Sequence, residues 1–239
     1  MNTIKIEKRN TLMVAHRGLS GLETENTIAA FIAACNRSYF ACECDVHFTK
    51  DNEMVICHDG HIKRISNYHN EIKNCTLKTL KSKCYNDVIS HEMKDYLRMP
   101  TLAEYCDTMK RYEKHAVIEM KEGWTENQVE QFYNYLVEAD MLDKAIIISF
   151  WKDNLIMMRH YDKDIPMQLL LSKEPMAQLD DCIKYHMGLD AAHPVITPEV
   201  VEAFHKAGLP VNCWTVNDKA RGEELTAMGV DYITTNILE

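Results

Sequence analysis

Eight short apolar runs recur along this chain, most of them separated by enough residues for one helix. No other feature of the sequence restricts its folds as strongly. The runs are TLMVAH (11–16), FACECDV (40–46), AVIEMK (116–121), AIIISF (145–150), PMQLLL (166–171), GLDAAH (188–193), PVNCWTV (210–216) and DYITT (231–235). Helical periodicity and capping signals fill the gaps. TENTIAAFIAACN opens on a Thr/Asn cap, and Thr125 leads TENQVEQFYNYLVEADM into Glu and Gln. In TPEVVEAFHKAG, Thr197 caps, Pro198 occupies the first turn and Gly208 stops the helix, and NDKARGEELTAMG repeats the pattern before Gly229. Short strands alternating with helices make parallel sheets, and eight such units in 239 residues predict a (β/α)8 barrel. A doubly wound open sheet is the alternative, but no Gly-rich phosphate loop follows the first run. Residues 59–100 break the alternation. They are polar, and are expected to form a small insertion after the second strand, within a single barrel domain spanning 1–239.

With 46% hydrophobic and 26% charged residues, the chain can bury one sizeable core. Its net charge of −9 argues against non-specific binding to nucleic acid or to an anionic membrane. The longest apolar run, Ile28 to Cys35, is far short of the ~20 residues a membrane span requires, so no stable anchor is expected. The opening MNTIKIEKRN has no apolar signal segment. Nine cysteines without a CxxC pair read as reduced, buried thiols of a cytoplasmic protein, and no second cysteine pair answers Cys42 and Cys44 to make a thiolate metal site.

Barrel strands are buried on both sides, so charged residues within them require a reason. In FACECDV, Glu43 and Asp45 share one face and Cys42 and Cys44 the other; Glu119 and Lys121 share a face of AVIEMK. In PVNCWTV, Asn212 and Trp214 oppose Val211, Cys213 and Thr215. The charged side chains should point into the barrel near its C-terminal mouth. Three carboxylates converging there repel one another and are costly to desolvate, which a divalent cation relieves. A carboxylate-only set favours Mg²⁺ or Ca²⁺ over Zn²⁺. His16 ends the first run and His58 ends EMVICHD, so a pair of histidines would flank the site as base and acid. Arg17 offers a planar fork for phosphate or carboxylate oxygens, and Lys121 adds a point charge. Glu25 and Asn26 open the first helix, placed to hold Arg17 or a substrate hydroxyl. Taken singly, each residue has an ordinary structural explanation, such as a hydrogen-bonded histidine, a salt-bridged acid or a core tryptophan. Their joint placement at strand ends with inward parity points to chemistry instead. His47, His61, His69, His91, His115, His160, His186, His193 and His205 are read as surface or packing residues.

In chain order, AHRG…ENT, ECDVHFTKDNEMVICHD, IEMK, VNCWTVN and GVDYITTN resemble the glycerophosphodiester phosphodiesterases, from Val14 to Asn236. The resemblance implies a TIM barrel with a small segment inserted after the second strand. It implies Glu43, Asp45 and Glu119 as metal ligands, His16 and His58 as general base and acid, and Arg17 and Lys121 on the phosphate. The implied activity is metal-dependent hydrolysis of a small glycerophosphodiester to sn-glycerol 3-phosphate and an alcohol; Trp214, on the barrel-facing parity of its strand beside Asn212, is expected to form one wall of the glycerol pocket. Three departures from the family pattern stand out: Thr24 replaces a proline, RSYFACECD lacks a glycine, and HDGHIKRISN diverges after the histidine. A lysophospholipase D or sphingomyelinase D-like enzyme would need an apolar tunnel or lip, for which the polar insertion offers little material. An inert phosphodiester-binding barrel would not need both histidines and all three carboxylates.

Overall fold

Each of the eight apolar runs forms one parallel strand of a closed barrel in the computed structural model, which describes residues 2–239. In chain order the elements are β1 (Leu12–Ala15), α1 (Ile28–Cys35), β2 (Ala41–Phe48), β3 (Met54–Ile56), α2 (Leu77–Lys81), β4 (Tyr85–Asn86), β5 (Met93–Lys94) and α3 (Leu102–Arg111). They continue as β6 (His115–Met120), α4 (Glu126–Glu138), β7 (Ala145–Ser149), α5 (Lys152–Tyr161), β8 (Met167–Leu171) and α6 (Leu179–Tyr185). The last are β9 (Gly188–Ala192), α7 (Pro198–Lys206), β10 (Val211–Trp214), α8 (Lys219–Met228) and β11 (Tyr232–Thr235). Strands β1, β2, β6, β7, β8, β9, β10 and β11 pair in that order, and β11 closes on β1 through Leu12↔Tyr232 to Ala15↔Thr235.

Local chemistry sets the helix starts. Thr27, the second threonine of TENT, accepts from the Ala30 amide and caps α1. Thr101 with Glu104, and Thr125 with Gln128, form reciprocal capping boxes on α3 and α4. Thr197 caps α7 with Pro198 in its first turn, and Asp218 caps α8, which ends at the left-handed Gly229.

Strand parity divides the apolar residues. Cys42, Cys44, Ile118, Ile147, Leu169 and Cys213 face the helices, in a core shared with Phe31, Tyr105, Phe132 and Phe204. Val14, Ala41, Val117, Ile146, Ile148 and Leu170 face inward and fill the barrel. All nine cysteines are free; Cys35 and Cys42 lie 3.9 Å apart, Sγ to Sγ, without a bond. No helix among the described residues is long and apolar enough to cross a membrane.

The insertion is less featureless than its polarity suggests. Strand β2 outlasts the barrel, and β3 pairs antiparallel with its end at Val46↔Ile56 and Phe48↔Met54. Beyond it, Val55, Ile62, Ile65, Ile72, Leu80, Tyr85, Leu97 and Met99 build a second small core. These residues follow no helical or strand period, which is why their burial is not legible in the sequence. The β4–β5 hairpin sits on the β1–α1 connection, where the Thr24 hydroxyl donates to the Asn86 carbonyl and accepts from the Val88 amide, at 2.8 and 3.1 Å. The threonine found where the family has proline is thus a docking point for the insertion.

The same connection turns at Gly18, whose φ is +76°; a Cβ there would lie 2.6 Å from the Ala30 carbonyl carbon. Gly208 also has positive φ, at +72°, but nothing lies within 4 Å of its Cβ position. Gly18→Ala should therefore cost more than about 2 kcal/mol in denaturant unfolding and Gly208→Ala about 1 kcal/mol. Equal losses would show that close packing against α1 does not constrain Gly18.

Candidate active site

The β2–β6 register sets Asp45 beside Glu119, with Glu43 two residues earlier on the same inward face. Each of the three acids has an oxygen within 4.8 Å of the other two, and all are buried. Their compensation is local. The Arg17 amide donates to Glu43 at 2.8 Å, and its guanidinium Nε lies 3.4 Å from Asp45. Arg17 adopts the left-handed region, φ +56°, a backbone turn that aims its amide and side chain at different carboxylates. Lys121 spans Asp45 and Glu119 at 3.2 and 3.0 Å. The buried Asn26 amide donates to Asp45 at 2.8 Å.

These contacts separate three chemically alike groups. Burial would raise Asp45, but Lys121 and Arg17 outweigh it and hold the carboxyl far below its usual range. Burial and the neighbouring Asp45 charge push Glu43 well up, and push Glu119 up to about 8. In the absence of a cation, Asp45 therefore carries the charge, while Glu43 and Glu119 relieve the repulsion by holding protons.

Both histidines are oriented through Nδ1. The Asn236 side-chain oxygen lies 2.7 Å from His16 Nδ1 and is itself 2.9 Å from the Ser20 hydroxyl. An amide oxygen only accepts, so Nδ1 carries the proton and Nε2 is left as the basic nitrogen. Burial, then Arg17, lower His16 to about 4, so it is neutral near pH 7. His58 Nδ1 lies 2.7 Å from Asp59. Burial lowers His58 as well, while Asp45 and Asp59 act in the opposite sense.

Asp59 is held in turn. Arg64 donates to Asp59 at 2.8 Å and to both Glu25 oxygens at 2.6 and 2.8 Å, and Glu25 accepts from Arg17 at 3.0 Å. One insertion side chain therefore connects the orienter of His58 to the orienter of Arg17.

A cavity of about 420 Å³ opens at the C-terminal mouth. His16, Arg17, Glu43, His58 and Glu119 form its charged wall, facing Ile148, Phe150, Leu170 and Trp214. The Trp214 indole N–H donates to the Asp190 carbonyl at 3.2 Å, and the ring meets Phe150 edge-on at 5.5 Å. The expected residues thus converge, but not all of them reach the cavity. Asn26 stands behind Asp45, Glu25 is clasped by two arginines, and Lys121 is braced between carboxylates. His47 is buried against the His58 carbonyl, 3.3 Å away. Sequence reasoning gave no role to Asp59, Arg64, Asn236 or Asp190. Only Asp59, adjacent to His58, carried a signal of its own.

A pH dependence follows with a definite sign. Glu119 titrates near 4.5 when unfolded and near 8 when folded, so between those values the folded state holds the extra proton. In the chelated protein, the contribution of Glu119 to stability should be complete below about pH 4.5 and be lost as pH rises through 8. Glu119→Gln should flatten that part of a Tm-against-pH curve. An unchanged slope in this variant would assign the loss to another group.

The model of the glycerophosphoryl diester phosphodiesterase family matches residues 16–239. A glycerophosphodiester phosphodiesterase of Caldanaerobacter subterraneus subsp. tengcongensis is 32% identical over 235 residues, covering 95% of this chain and 94% of that protein. One from Bacillus subtilis is 30% identical over 246 residues, covering 94% and 83%. Among solved structures, a glycerophosphodiester phosphodiesterase from Parabacteroides distasonis superposes with a TM-score of 0.80 at 26% identity, over 95% of this chain and 93% of that one. An Oleispira antarctica phosphodiesterase, solved in complex with the product sn-glycerol-3-phosphate, reaches 0.86 at 24% identity, over 94% and 92%. On its sequence from His16 to Glu239, and on a barrel whose charged residues meet at one mouth, this chain belongs to the glycerophosphoryl diester phosphodiesterase family.

Proposed function

We propose that this protein hydrolyses glycerophosphodiesters to sn-glycerol 3-phosphate and an alcohol, using a divalent cation held by Glu43, Asp45 and Glu119 and proton transfer by His16 and His58. The observation that carries the reading is the convergence of three buried carboxylates between two histidines whose Nδ1 atoms are already committed. The product bound in the Oleispira antarctica enzyme, a protein of the same fold, supports the choice of product.

The carboxylates suit a hard cation. Their oxygens cluster within 4.8 Å, and the donor set is carboxylate oxygen throughout, the chemistry a hard ion prefers. When bound, Mg²⁺ or Ca²⁺ supplies Lewis acidity to the phosphoryl oxygens. Neutral His16 takes the proton of the attacking hydroxyl at Nε2. His58, oriented through Nδ1 by Asp59, donates to the leaving alkoxide. Arg17 and Lys121 supply positive charge for the phosphate, Glu25 and Asn26 hold the groups around it, and Trp214 walls the carbon skeleton. Nine unpaired cysteines suit a reducing, cytoplasmic setting.

Two measurements test the mechanism. Chelation should abolish turnover of glycerophosphocholine, and Mg²⁺ or Ca²⁺ should restore it while raising Tm; Glu43→Gln with Glu119→Gln should remove the Tm response. Full turnover without metal would end the metal assignment. His16→Ala and His58→Ala should each lower kcat by roughly 10²–10⁴. The His58 loss should shrink for a p-nitrophenyl ester, whose leaving group needs no proton, and an equal loss on both substrates would remove His58 from the acid role.

A further inference from the structure

Across the cavity from the carboxylate cluster, a fourth acid is unaccounted for. Asp190 lies on β9, 1% exposed, yet it contributes to the cavity lining. Its Oδ1 has no hydrogen-bond partner among the described residues. The neighbouring strands cannot supply one. On one side its register partner is the apolar Leu170, and on the other it is Asn212. The Asn212 amide donates to Gln168 at 3.1 Å, and its oxygen accepts from Thr234 at 3.2 Å, so that layer bonds within itself and does not reach Asp190. Leaving a buried carboxyl unpaired costs stability, and such groups recur where a ligand completes the bonding.

We propose that Asp190 is a specificity-determining residue that hydrogen-bonds a hydroxyl of the substrate's glyceryl half, an assignment that rests on the phosphodiesterase reading above. The occupant must offer a polar group able to pair with a buried carboxyl and present carbon surface to Trp214, Leu170 and Ile148. A glyceryl group does both. A quaternary ammonium such as choline suits aromatic rings but can neither donate a hydrogen bond to the buried carboxyl nor accept one from it. The phosphate itself belongs on the wall with the Arg17 guanidinium.

The experiment compares calorimetric affinities of the cation-loaded protein for sn-glycerol 3-phosphate and for two analogues that each lack one hydroxyl, 3-hydroxypropyl phosphate and 2-hydroxypropyl phosphate. The parent should prefer the triol-derived ligand over at least one analogue by about tenfold or more, the scale of one buried hydrogen bond. Asp190→Ala should bring that ratio close to one, and the near-isosteric Asp190→Asn, which still bonds a hydroxyl, should retain part of it. A ratio unchanged in both variants overturns the proposal, as does a parent that does not discriminate. So does a change confined to the relative turnover of glycerophosphocholine and glycerophosphoethanolamine, because Asp190 would then face the alcohol. A parent that binds none of the glyceryl ligands, yet cleaves bis(p-nitrophenyl) phosphate, would instead refute the underlying functional reading.

Discussion

Three carboxylates face one another inside a barrel that could have been filled with aliphatic side chains, and their repulsion is the constraint to which the surrounding structure answers. Glu43, Asp45 and Glu119 come from adjacent parallel strands, so no rearrangement short of breaking the β2–β6 register can separate them. Arg17 and Lys121 offset part of this charge and Asn26 donates to it, but three acids against two cations leave a negative remainder. A buried ionic cluster of this kind is a poor source of stability, because the desolvation of each charge rivals the attraction it gains. The arrangement makes physical sense as a receptor for further positive charge.

That requirement reaches outward through the β1–α1 connection. Arg17 and Asn26 both occupy the left-handed backbone region, and Gly18 between them allows the chain to lie against α1. The two unusual backbone turns place an amide on Glu43 and a side-chain amide on Asp45. The insertion continues the network. Arg64 binds Asp59 and Glu25 together, so a segment with its own small core helps to orient both His58 and Arg17. Its half-exposed guanidinium matters less for stability than for geometry, since an ion pair at that exposure contributes little.

The barrel and its acid cluster were legible in the sequence because both depend on short-range periodicity. Parity alone put Glu43 and Asp45 opposite Cys42 and Cys44, and the structure divides them in that way between interior and helix-facing core. Caps and glycines marked most helix ends to within a residue or two. Four residues were not legible, for three different reasons. Arg64 lies in a segment whose core residues obey no period, and its partners are 5 and 39 positions away. Asn236 meets His16 only because β11 closes the barrel on β1, a pairing between chain ends. Asp190 and Asp59 each stand as a single acid in the sequence, with no second acid two positions away to mark a shared face. Only the emptiness around Asp190, which depends on what its neighbours already bond, distinguishes it.

The interior is layered as well as divided. Gln168, Asn212 and Thr234 bond one another across three strands, a satisfied polar layer inside the barrel. A network of this kind restricts the rotamers of its members. Beside it, the cavity is charged along β1, β2 and β6 and largely apolar along β7, β8 and β10. A phosphodiester entering from the mouth meets both environments at once. In the proposed reading, its anionic centre would be drawn to the wall bearing Arg17, and its carbon surface would be desolvated against the wall bearing Trp214. Binding in the reverse sense would bury the phosphate against Ile148 and Leu170 while leaving the cationic side chains to the acids alone. The division of the walls therefore gives the site a direction, and that direction is set by which strands carry inward charge.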